Sequence, residues 1–240
     1  MSAAAGSSTA YSLRGEAMTE QDWMIGTDPT PMLEFVRGKA NDRKLRLFAV
    51  SCCRLVWHRM VDKCSRRAVE VAERYADGLA TPQTLLKWYW AAYEAYELTD
   101  DEEDEGARYR EVAFAANCAT HHDAAFAAMN AAAYVSAAAV TGQDTLSDSR
   151  EAVCDLLREI LGPLPFHPIT CDPIWLSWHD GLVLSMAQRM YDSRDFSDMP
   201  VLADALEEAG CEDQDILGHC RSGGEHVRGC WVIDALLGKK

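Results

Sequence analysis

The chain has 240 residues, 48% hydrophobic and 25% charged, with 38 acidic against 23 basic side chains and a formal net charge of -15. That is enough chain to bury the core of one large domain or two small ones, and its apolar content excludes a globally disordered protein. The negative charge opposes long-range attraction to nucleic acid and anionic lipid, and no apolar stretch reaches the roughly 20 residues that a bilayer span needs.

In chain order, residues 1–17 are rich in Ala, Ser and Gly and contain one Arg and no apolar run. They read as a disordered extension rather than a secretory signal, with Met18 a second plausible start. Thr30-Pro31 opens a short helix to about Val36, closed by Gly38. Asn41-Asp42 caps a longer one in which Leu45, Phe48, Cys52, Leu55 and Val56 recur at helical spacing. Ser65 caps the next, which Gly78 stops, and Thr81-Pro82 starts another through Leu85, Trp88 and Tyr89. From Arg37 to Arg74 eleven Lys/Arg face four acids, a local charge of +7, whereas Glu94 to Glu105 holds eight acids and no base. The acidic run reads as a solvated loop over 99–106, and the two segments are complementary in charge.

Residues 107–140 give two helices broken near Thr120, the second so rich in Ala that it suits the centre of a bundle, where small side chains let neighbours approach. Ser147 or Asp148 caps a helix through Leu161 that Gly162 ends. Pro163, Pro165, Pro168 and Pro173 then mark a linker over 163–176. Beyond it, Asp172-Pro173, Met199-Pro200 and Glu212-Asp213 each open a helix, and a last one spans about Val227 to Leu237. No segment has strand periodicity. The expected fold is all-α, a bundle of roughly eight to ten helices in two lobes, 18–162 and 177–240.

The nine cysteines (Cys52, Cys53, Cys64, Cys118, Cys154, Cys171, Cys211, Cys220, Cys230) are odd in number and sit mostly in apolar helical patterns. That pattern points to reduced thiols and a cytoplasmic protein. The densest set of metal-capable residues is Cys211, His219, Cys220, His226 and Cys230, and thiolate with imidazole is what zinc prefers. His226 and Cys230, four apart, would share a face of the last helix, while His219 and Cys220 would point about 100° apart. No Cys-x-x-Cys occurs, so packing of small apolar thiols competes with ligation. Arg221 and Arg228 around Gly223-Gly224 form a candidate anion site at a helix start, against the plainer reading of a tight turn. Cys118 and His122 share a helical face, yet nothing near them supplies an oxyanion hole, and Asp123 reads as a helix cap. No catalytic residue is expected.

Thr27-Asp-Pro-Thr-Pro-Met-Leu-Glu-Phe35, Asp42-Arg-Lys-Leu-Arg-Leu-Phe48 and Ser65-Arg-Arg-Ala-Val-Glu-Val-Ala-Glu-Arg-Tyr-Ala-Asp-Gly78 resemble the N-terminal half of an uncharacterised helical family abundant in planctomycete bacteria. Leu202-Ala-Asp-Ala-Leu-Glu-Glu-Ala-Gly-Cys211, His219-Cys-Arg221 and His226-Val-Arg-Gly-Cys-Trp-Val-Ile-Asp234 resemble its C-terminal signature, with Ser222-Gly-Gly-Glu225 in place of a Gly-Pro-rich turn. The resemblance carries no catalytic residue and implies the behaviour of an interaction or regulatory module. The absence of a complete catalytic constellation and the segregated charge make the leading expectation a non-enzymatic interaction or regulatory protein that binds a protein partner, with no nucleic-acid or membrane role. The rivals are a zinc-type metal-binding protein, with or without catalysis, and an anion-binding helical domain.

Overall fold

Recurrent Asp, Asn and Thr caps divide the chain, because each side-chain oxygen takes up a backbone N–H that the first helical turn leaves without a partner. The computed structural model describes residues 18–99, 104–139, 145–163 and 165–239, and every regular element among them is helical. Thr19 opens α1 (Glu20–Ile25), Asp28 opens α2 (Pro29–Val36) and Asn41 opens α3 (Asp42–Leu55). Asp62 opens α4 (Lys63–Ala76) and Thr81 opens α5 (Pro82–Glu97). α6 (Asp104–Ala119) and α7 (Ala124–Ala139) follow, then α8 (Leu146–Leu161) behind Thr145. The chain continues through α9 (Pro173–Ser177), α10 (Leu182–Ser193), α11 (Met199–Glu208), α12 (Gln214–Arg221) and α13 (Trp231–Leu236). Among the described residues thirteen α-helices slightly exceed the expected eight to ten, since α1, α9 and α13 have only 6, 5 and 6 residues.

Three helices start earlier than expected, for one reason. Asp28, Asp62 and Thr145 accept the N–H of Thr30, Ser65 and Asp148, so three residues chosen as caps are instead the residues being capped. The final helix is shorter than expected: Gly229 has φ +101°, the Val227 N–H donates to Glu159 and the Gly229 carbonyl accepts from Lys44. Residues 1–17 and 100–103, the expected extension and the middle of the acidic loop, lie outside the described residues.

Buried side chains form two clusters. The first runs from Trp23 to Leu161, with α7 packed against α3, α6 and α8; Ala127, Ala131 and Ala138 are wholly buried there. The second runs from Trp175 to Leu236. Charged groups join them. Asp234 of α13 accepts from Arg43 at 2.7 Å and from Lys44 at 2.6 Å, and Glu73 of α4 accepts from Arg54, Arg194 and Arg228. Thus Arg43, Lys44 and Arg54 of the basic stretch meet Asp77, Asp234 and Glu73. Arg46 turns inward and donates to the carbonyls of Ala119, His121 and His122, closing the C-terminal end of α6. None of the described helices is long and apolar enough to cross a membrane.

Candidate metal centre

On α8 the residues Val153, Leu156, Leu157 and Ile160 face the core at helical spacing, and Glu159 falls on that face at 7% exposure. A buried carboxylate needs partners, and the second lobe supplies them. His219 projects from α12, His226 lies in the turn that follows, and Cys230 is the N-cap residue of α13. One donor atom from each of Glu159, His219, His226 and Cys230 lies within 4.8 Å of all the others.

The distances are short. Glu159 Oε2 is 3.3 Å from His219 Nε2 and 3.2 Å from His226 Nδ1, and His219 Nε2 is 3.2 Å from Cys230 Sγ. The surroundings hold these groups in place. The Val227 N–H donates to Glu159 Oε1. The Lys44 ammonium donates to the carbonyls of Ile160 and Gly229, the immediate neighbours of Glu159 and Cys230, and so ties the two strands of backbone that carry them. The Trp231 ring packs 5.0 Å from the His219 ring and the two imidazoles meet edge to face at 4.9 Å.

Burial drives the His219 pKa down to about 4, so its ring is neutral near pH 7, the form in which an imidazole binds a metal cation. Burial, then the charge of Glu159, pushes the Cys230 thiol well above its usual range. The His226 Nδ1 atom faces Glu159, while its other ring nitrogen, Nε2, is buried without a hydrogen-bond partner.

Of the five residues expected as ligands, the fold brings together His219, His226 and Cys230. Cys220 points into the second core, as the 100° offset from His219 requires, and burial raises its thiol to about 12. Cys211 belongs to the same core. His226 and Cys230 converge across a turn rather than along a helical face. Arg221 pairs with Asp204 and Glu207, and Arg228 with Glu73 and the Tyr191 carbonyl, so both guanidinium groups of the candidate anion site meet protein acceptors. At the other cluster, Asp123 accepts the Phe126 N–H and caps α7, while burial raises the Cys118 thiol to about 12. None of the nine cysteines forms a disulfide. Glu159 went unseen in the sequence, although a Glu at core spacing among Leu156, Leu157 and Ile160 was its signal.

The fold and cluster define the class: an all-helical chain with a buried Glu/His/His/Cys set between two lobes. Comparison with family models, curated proteins and solved structures gives no match.

Proposed function

We propose that this is a metal-binding protein whose centre, of the zinc type, is held by Glu159, His219, His226 and Cys230 and clamps α8 to the second lobe. The observation that carries the reading is the approach of four donor atoms to within 4.8 Å of one another. Zinc bonds of about 2.0–2.3 Å at tetrahedral angles place neighbouring donors about 3.3–3.7 Å apart. Three of the six donor–donor separations, at 3.2–3.3 Å, are within a few tenths of an ångström of that edge, and the other three lie within 4.8 Å. Charge supports it too, since a carboxylate, a thiolate and two neutral imidazoles balance a divalent cation in a buried site. The metal replaces the Cys230 proton, so loading releases protons and strengthens as pH rises.

Protein purified without chelators is expected to carry one equivalent of zinc, or to take up one equivalent of Zn2+ or Co2+. Glu159→Ala, His219→Ala, His226→Ala and Cys230→Ala should each lose it, whereas Cys211→Ala and Cys220→Ala should keep it. Elemental analysis of the six variants decides. Substoichiometric metal in the parent after Zn2+ addition, with no change in melting temperature on chelation, overturns the reading.

A protein-interaction role is a compatible second reading. It is supported by Leu86 and Trp90, 57% and 56% exposed and one helical turn apart on α5. Trp90→Ala should leave the unfolding free energy within about 0.5 kcal/mol of the parent. If the surface is functional, the variant should lose a partner that the parent retains in parallel pull-downs from the native host.

A further inference from the structure

A cleft of about 1100 Å³ lies beside the cluster, and Glu159 and His219 form part of its wall. These two side chains are the more exposed donors, at 8% and 15%, while Cys230 is wholly buried behind them. The wall is continued by the apolar side chains of Trp23, Leu156 and Trp231. Its charge is one-sided. Glu20, Asp155, Asp215 and Glu225 line the cleft against a single guanidinium, Arg158, which is committed to Asp155 and to the carbonyls of Trp23 and Gly26. A metal at the cluster would neutralise Glu159, and with Asp155 paired to Arg158 it would leave Glu20, Asp215 and Glu225 facing the cleft, the first two 3.2 and 3.9 Å from the His167 ring.

We propose that this cleft is a ligand-binding site that brings a cationic molecule with a metal-coordinating oxygen, of the amino-acid amide or short basic peptide class, to the metal at its inner wall. The proposal rests on the metal reading above. Four protein donors normally close a zinc site, so the ligand's oxygen enters as a fifth donor, or in place of the Glu159 carboxylate, on the side bounded by Glu159 and His219. The carboxylates receive the ligand's ammonium group, and the Trp23, Leu156 and Trp231 surfaces cover its aliphatic part.

Gly218 allows a test without touching a donor. It lies on α12, lines the cleft, and a Cβ there would meet nothing within 4 Å. The Co2+-loaded protein is titrated with L-lysine hydroxamate, which is cationic, and with succinic acid monohydroxamate, which is anionic, while the cobalt visible spectrum is followed. The cationic probe should alter the spectrum at about one tenth of the concentration needed for the anionic one, a ratio set by several screened charge interactions. Gly218→Trp should keep one equivalent of Co2+ and lose the response. Glu225→Lys, at an exposed position, should also keep Co2+ and narrow the ratio severalfold.

Failure to bind Co2+ overturns the metal reading, and this proposal with it. Stoichiometric Co2+ with no response to either hydroxamate means a closed centre and overturns the cleft proposal alone. Equal or reversed preference between the probes overturns the ligand class. An undiminished response in a cobalt-loaded Gly218→Trp protein overturns the route.

Discussion

Asp234→Ala is expected to lower the unfolding free energy by about 3–5 kcal/mol at pH 7, since removing one partner leaves a buried charge uncompensated. Asp234 is 1% exposed and takes Arg43 at 2.7 Å and Lys44 at 2.6 Å. Arg43 keeps Asp77 at 3.1 Å, but Lys44, 4% exposed, would retain only the carbonyls of Ile160 and Gly229. Burial already holds the Lys44 pKa below its usual value against the pull of Asp234, and losing that carboxylate lowers it further. A lysine whose folded pKa is depressed binds its proton more weakly in the folded than in the unfolded state. Stability then rises as pH climbs from the folded pKa toward the unfolded value of about 10.4. The deficit of the variant should therefore shrink between pH 7 and pH 10. Urea unfolding of both proteins across that range measures it. A deficit under about 1 kcal/mol at pH 7, or one independent of pH, would show that Lys44 is not held as an uncompensated ammonium.

Helix existence was written locally, in caps and apolar spacing, and so it could be read without coordinates. The exact caps were less legible, because Thr30, Ser65 and Asp148 are as competent to cap as the residues just before them. The candidate centre was legible where its residues are close in sequence. His219, His226 and Cys230 span 12 positions, and their chemistry marks them out. Glu159 lies 60 residues before His219, and only the docking of one lobe on the other brings it within 3.3 Å. Lys44 is more distant still, and a lysine that ties Ile160 to Gly229 has no local signature at all. The same limit hides the partners of the basic stretch: Arg43, Lys44 and Arg54 take Asp77, Asp234 and Glu73, acids that the fold buries beside them.

Gly162→Ala tests whether the candidate centre depends on packing around it. Gly162 ends α8 at φ +53° and ψ -137°, a region that L side chains rarely enter. A Cβ there would lie 2.5 Å from Cδ1 and Cγ of Trp231, so the indole would have to move. Backbone strain with overpacking should lower stability by about 2–4 kcal/mol. The indole packs against His219, so its displacement should carry that imidazole away from Glu159 and Cys230 and weaken metal retention about tenfold or more. Gly210→Ala is the control: its φ is +93° but nothing lies within 4 Å of the added Cβ. It should cost about 1 kcal/mol of strain and leave metal affinity unchanged. Thermal unfolding, with competition against a chromophoric chelator, reads both quantities. Equal metal retention in the two variants would mean that Trp231 does not position His219, whereas selective loss in Gly162→Ala would make the α8 terminus part of what orders the four donors.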